Sequence, residues 1–102
     1  IAGFARQPAV ITSSYSAPIG VGTIICNNTS NVNVTLPGNT AWEGYEVIVI
    51  RASTGGVTVS DVSGTSKIWD AGSQVSSVSL GGYACGMFFY VGSIWHYRAL
   101  YR

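Results

Sequence analysis

Charged side chains are scarce in this 102-residue chain. Asp, Glu, Lys and Arg make up 9% of the residues, against about a quarter in ordinary globular proteins. A chain of this length forms one domain with much of its sequence near the surface, so neutral polar and apolar groups must cover that surface. Because large apolar patches on small domains usually mark interfaces, we expect part of the surface to be buried against copies of the same chain.

The low charge also argues against two classes of partner. The net charge is +1, and the five basic residues are scattered along the chain, whereas a nucleic-acid surface needs clustered Lys and Arg. No apolar run approaches the roughly 20 residues of a membrane span. We therefore expect neither nucleic-acid binding nor membrane insertion.

Metal-ligating side chains are equally few. Cys26 and Cys85 lie far apart, and the chain contains a single His, so the spacing of a zinc site is missing. We expect no metal and no cofactor. The two thiols are either free and buried or joined as a disulfide, and the sequence leaves both states open.

Helical periodicity is absent, and short β-branched segments separated by Gly, Pro, Asn and Ser recur at spacings near ten residues. This pattern predicts an all-β fold, a compact antiparallel sandwich or barrel of about eight or nine short strands. Pro8 and Pro18 suit an edge or linker, so residues 1–20 are predicted to form an extended N-terminal arm or linker to a longer chain. Residues 21–102 are predicted to form the β-domain. No internal repeat indicates a solenoid.

Two pairs of segments support this fold. Residues 45–51 predict a central strand, and the turn Thr54-Gly55-Gly56 predicts a hairpin to residues 57–60. In the last third of the chain, two apolar segments flank Gly92-Ser93, and we expect them to form the hydrophobic centre. The uninterrupted run at residues 87–91 predicts burial on both faces.

Catalytic chemistry is poorly represented. A glycosidase needs two facing carboxylates, and Asp61 with Asp70 is the pair that the sequence offers, although Asp in such turn contexts usually bonds backbone N–H groups. His96 has no partnering nucleophile at a useful spacing, so a structural or interface role is favoured. We expect no enzymatic activity, and a depolymerase fragment acting through Asp61 and Asp70 is the weakest of the hypotheses.

Three aromatic residues are better candidates for function. Trp42, Trp69 and Tyr83 lie in or beside predicted loops, next to polar residues. Exposed Trp and Tyr in such positions form surfaces on which sugar rings stack and partners anchor. They are our candidate ligand or receptor contacts, and the alternative is that they cap the ends of the fold or pack between subunits.

The order of turns and strands between residues 22 and 98 follows a familiar pattern. It contains an alternating strand ending in Leu-Pro (32–37), a Glu-Gly loop before a Val/Ile strand (43–50), Gly-Gly-Val-Thr-Val (55–59), Ile-Trp-Asp-Ala-Gly (68–72) and Gly-Ser-Ile-Trp-His-Tyr (92–97). In this order the segments resemble the small β-domains of tailed-bacteriophage virion fibres, which occur in tail fibres, head fibres and related receptor-binding appendages. The chain departs from that pattern in the heavier turn at residues 69–72 and in the bulkier strand at residues 87–90.

The resemblance implies a homotrimer with apolar faces meeting near a three-fold axis. It also implies a structural and adhesive role on the virion, either decorating the particle or attaching it to the host, with other virion proteins and host surface polysaccharide as partners. The loop aromatics motivate an alternative from another class, a monomeric carbohydrate-binding, lectin-like β-sandwich of a secreted bacterial protein.

Overall fold

The fold is built from β-strands. The computed structural model describes residues 7–18, 20–37, 44–61, 68–70, 72–81, 84–92 and 94–101, and these ranges contain eleven strands and no helix. The all-β prediction is therefore confirmed. In chain order the strands are β1 (Gln7–Ile11), β2 (Tyr15–Ser16), β3 (Val21–Cys26), β4 (Val32–Thr35), β5 (Tyr45–Arg51), β6 (Val57–Ser60), β7 (Ile68–Asp70), β8 (Ser73–Val75), β9 (Ser77–Leu80), β10 (Cys85–Val91) and β11 (Ile94–Tyr101).

Alternating apolar residues explain where most of these strands form. In β5, Tyr45, Val47 and Val49 are buried, and the residues between them are half-buried. Side chains two apart on a strand share a face, so this pattern places one face of β5 in the core. The predicted bounds of β5 and β6 are confirmed.

The first six strands form three two-strand units, β1–β2, β3–β4 and β5–β6, stacked in parallel. β1, β3 and β5 pair in parallel in one sheet, as do β2, β4 and β6 in the other. Ile11, Cys26 and Arg51 occupy equivalent positions in the three units. Because unequal lengths of chain separate them, no fixed period is visible in the sequence.

The later strands complete both sheets. β10 pairs antiparallel with β5 and β11, β7 runs parallel to β11 and antiparallel to β8, and β9 pairs antiparallel with β6. The strand orders are β1-β3-β5-β10-β11-β7-β8 in a seven-stranded sheet and β2-β4-β6-β9 in a four-stranded sheet. The C-terminal hairpin is confirmed: Val91 pairs with Ile94, and Gly92 between them has a φ of 65°, which a tight hairpin turn favours.

Three details of the prediction are wrong. The sheets are mixed rather than antiparallel. Residues 54–56 do not close a hairpin, because β5 and β6 belong to different sheets. The described part of the chain has eleven strands instead of eight or nine, since β2 and β8 contain only two and three residues, too few for a legible alternation.

Buried side chains from both sheets form one hydrophobic cluster. Its aromatic part lies in the seven-stranded sheet, where the ring centroids of Tyr90 and Trp95 are 5.0 Å apart and those of Tyr45 and Trp95 are 6.1 Å apart. The Tyr45 hydroxyl donates to the carbonyl oxygen of Val21 at 2.6 Å and accepts from the amide of Gly20 at 2.9 Å. The fully buried members are Phe88, Ile24, Leu36, Ile68, Val34, Val47, Val49, Val57, Val59 and Cys26.

Asn28 connects the corners of two neighbouring units. A corner is the turn between the two strands of a unit, residues 27–31 in the unit β3–β4 and residues 52–56 in the unit β5–β6. It is 1% exposed, and its Nδ2 donates to the carbonyl oxygens of Ser30 at 2.6 Å and Gly56 at 3.2 Å. The Gly55 amide donates to the Asn28 carbonyl oxygen at 2.9 Å. The Asn-rich turn after β3 therefore packs directly on the Gly-Gly turn after β5.

Candidate functional site

The outer face of the seven-stranded sheet, the face turned away from the hydrophobic cluster, carries a group of apolar side chains. Paired residues on neighbouring strands point to the same face, and the pairing aligns Val10 with Ile25, Ile25 with Ile50, and Ile48 with Met87. Val10 is 67% exposed, and the other four are half-buried. We call Val10, Ile25, Ile48, Ile50 and Met87 the apolar patch.

The apolar patch corrects the expectation for residues 87–91. Along β10 the even-numbered residues Gly86, Phe88 and Tyr90 are buried, whereas Met87 and Phe89 are half-buried. One face of the strand lies on the core, and the described part of the chain covers the other only partly. The apolar residues of β10 are consecutive in the sequence, yet within one chain buried and half-buried residues alternate along the strand.

Trp69 is the one candidate ligand contact that falls within the described residues. It lies on β7 and is 41% exposed. The exposure of this indole agrees with the predicted surface position, although Trp69 sits on a strand rather than in a loop. Trp42 and Tyr83 lie outside the described residues.

Strand pairing places Trp69 in a row of four side chains that crosses the sheet. His96 of β11 pairs with both Phe89 of β10 and Trp69 of β7, and Trp69 also pairs with Gln74 of β8. Directly paired side chains have Cβ atoms about 5 Å apart. We call Phe89, His96, Trp69 and Gln74 the Trp69 row. Its first member is half-buried, and the other three are exposed.

His96 makes one polar contact with the backbone. Its Nε2 lies 3.3 Å from the carbonyl oxygen of Val91. A carbonyl oxygen only accepts, so a hydrogen bond at this position requires a proton on Nε2. Strand pairing therefore places a second hydrogen-bonding side chain next to Trp69.

The two aspartates of the enzyme hypothesis lie in or next to strands of different sheets. Asp61 follows β6 of the four-stranded sheet and is 5% exposed, and Asp70 is the last residue of β7 in the other sheet. The Asp61 amide donates to the carbonyl oxygen of Ser76 at 3.2 Å. Among the described residues, no group of three or more His, Cys, Asp or Glu side chains could hold a metal ion.

Both cysteines are free thiols on opposite faces of the seven-stranded sheet. Cys26 pairs with Arg51 of β5, whereas Cys85 pairs with Ile50 on the other side of β5. Their separation by two strand spacings of about 4.8 Å and their opposite orientations exclude a disulfide in this fold. Burial raises the pKa of the Cys26 thiol to about 11 and also raises the pKa of Cys85, so neither is an activated nucleophile.

Sequence reasoning identifies Trp69 but not its neighbours. It assigns His96 a structural or interface role, and it does not single out Gln74. The missing signal is the pairing of β7 with β11, which joins segments more than twenty residues apart and leaves no local pattern.

Among the described residues, no helix has the length and apolar character needed to cross a membrane. Comparison with known sequences found no protein-family model and no curated protein that matches this chain.

Proposed function

We propose that this chain is a homotrimeric structural and adhesive module of a bacteriophage virion, with its two sheets packed as a sandwich. It would belong to a tail fibre, a head fibre or a related receptor-binding appendage, on an exposed part of the particle. Its partners would be other virion proteins and the surface of the host cell.

The observation that carries the proposal is the apolar patch. Sheets with neighbouring parallel strands are normally covered on both faces, and β1, β3 and β5 form such a group. Here one face rests on the hydrophobic cluster, and the other presents Val10, Ile25 and Ile50 to solvent. Burying half-exposed aliphatic side chains contributes about 25 cal/mol per Å², so covering the patch is favourable.

A second copy of the same chain suits this patch well. The molecule carries a net charge of +1, so copies approaching one another meet little long-range repulsion. Most soluble oligomers are closed, symmetric assemblies of identical subunits. The choice of three subunits comes from the resemblance to phage fibre domains, in which apolar faces meet near a three-fold axis.

A charge placed in the patch tests the proposal. Ile48→Lys puts an ammonium group on the outer face of a central strand, and Ser79→Lys puts the same group on an exposed position of β9 in the other sheet. We expect wild type and Ser79→Lys to sediment as trimers and Ile48→Lys to sediment as a monomer that retains β-sheet circular dichroism. An Ile48→Lys variant with the same mass as Ser79→Lys would refute the use of this face.

The alternative function is a monomeric, lectin-like domain of a secreted bacterial protein. It is favoured by the 41% exposure of Trp69, since a large aromatic side chain at the surface commonly anchors a ligand. A wild-type mass equal to one chain would favour this alternative over the trimeric module.

A further inference from the structure

We propose that Trp69, His96 and Gln74 form a binding site for one pyranose unit of a surface polysaccharide. The site deepens the adhesive part of the proposed function and rests on it. Three neighbouring strands, β11, β7 and β8, each contribute one exposed side chain at the same level of the sheet.

Trp69 provides the stacking surface. Its indole is one of the large apolar groups that the described part of the chain leaves exposed, at 41%. It projects from the middle residue of β7, which is paired on both sides. Because pairing on both sides holds the backbone of Trp69, little backbone freedom is lost when a ligand binds, and such preorganisation raises affinity.

The flanking side chains match the hydroxyl groups of a sugar. The Gln74 amide supplies both a donor and an acceptor. His96, whose Nε2 lies 3.3 Å from the Val91 carbonyl oxygen, offers its other ring nitrogen, Nδ1. A pyranose ring has an apolar face of C–H groups and a rim of hydroxyls that both donate and accept. An aromatic ring between two polar side chains presents the complementary surface.

The site and the apolar patch occupy different halves of the outer face. The patch lies on β1, β3, β5 and β10, whereas Trp69, His96 and Gln74 lie on β11, β7 and β8. A neighbouring subunit can therefore cover the patch without covering these three side chains. Polysaccharide binding and trimer formation do not compete for the same residues.

Binding is tested with the methyl glycosides of glucose, galactose, mannose and N-acetylglucosamine, using saturation-transfer NMR and the indole N–H signals of the full chain. The chain contains three Trp residues, and Trp69→Phe identifies the signal of Trp69. We expect at least one glycoside to shift that signal saturably. Trp69→Ala and Gln74→Ala should each weaken binding roughly tenfold or more, the loss typical of a principal contact.

Leu100→Ala is the matched control, because Leu100 is 49% exposed on the same outer face of β11 as His96. It should bind as wild type does, and the thermal midpoints of all variants should confirm that they are folded. Absence of saturation transfer from all four glycosides, or equal binding by Trp69→Ala and Leu100→Ala, would overturn the site.

The proposed sugar site and the proposed trimer can be refuted separately. A trimer that binds none of the glycosides refutes the site and leaves the structural part of the proposed function standing. A monomer whose Trp69 signal is shifted by a glycoside supports the site and refutes the trimer, which favours the lectin-like alternative.

Discussion

Gly55 is the position where one added methyl group should be most damaging. A Cβ at Gly55 would lie 2.5 Å from the carbonyl oxygen of Ser30 and 2.7 Å from that of Asn28, and it would also overlap Asn28 Nδ2. Two of these three neighbours are backbone atoms, which move only if the turn after β3 moves. We therefore expect Gly55→Ala to separate the corners of the units β3–β4 and β5–β6.

Gly55→Ala should lower the free energy of unfolding for two reasons, overpacking and the loss of hydrogen bonds. Forcing extra atoms into a packed site costs about 1–3 kcal/mol, and a buried amide deprived of its partners costs a similar amount. Asn28 is 1% exposed, and its Oδ1 already has no partner, so the corner tolerates little further loss. We expect Gly55→Ala to lower the free energy of unfolding by about 3 kcal/mol, or to lower the thermal midpoint by roughly 12 °C for a domain of this size.

Gly81→Ala is the control for this prediction. A Cβ at Gly81 would meet nothing within 4 Å, and its φ is not positive. The substitution should leave stability unchanged or raise it by up to about 1 kcal/mol, because it reduces the freedom of the unfolded chain. Urea unfolding followed by circular dichroism at one fixed protein concentration measures both variants, since the stability of an oligomer depends on concentration. Equal midpoints for Gly55→Ala and Gly81→Ala would refute the stacked-corner account.

Three further predictions concern the side chains of Tyr45, Arg51 and Cys26. Tyr45→Phe should cost about 1–2 kcal/mol in urea unfolding, because it leaves the buried Val21 carbonyl oxygen without its donor. The Arg51 guanidinium group donates to the carbonyl oxygens of Leu80 at 3.1 Å and Thr54 at 2.9 Å. Arg51→Lys should lower the free energy of unfolding by about 1 kcal/mol in the same assay, because a single ammonium group cannot replace the two guanidinium donors. Cys26 should make the protein less stable as the pH rises from 9 towards 11, because the unfolded thiol ionises first and its folded pKa is about 11. Cys26→Ala should reduce this change of the free energy of unfolding with pH, as measured from unfolding curves across the range. An unchanged pH dependence would contradict the assignment of the effect to Cys26.

A strand could be predicted from the sequence where the pattern that indicates it lies in neighbouring residues. Alternating apolar residues locate β5 and β6 to the residue, and Gly92-Ser93 locates the C-terminal turn. The partner of a strand is not a local property. The Gly-Gly turn at residues 55–56 has the composition of a hairpin turn, yet its structural role is to make room for the Asn28 corner of the preceding unit, and no spacing rule relates those two segments.

The same limit applies to the candidate site. The exposure of Trp69 was predictable from its polar neighbours, and the side of β11 that carries His96 was predictable from alternation. Their adjacency depends on the parallel pairing of β7 with β11. Without that pairing, His96 and Gln74 are ordinary polar residues on two separate strands.

The most direct test of the proposed assembly is the molar mass of the wild-type chain, measured by light scattering on a sizing column before and after mild heating and over a dilution series. The account predicts a mass three times the 10.7 kDa of one chain that survives heating and dilution. A mass of one chain throughout the series would contradict it, because the apolar patch would then be stable in contact with water.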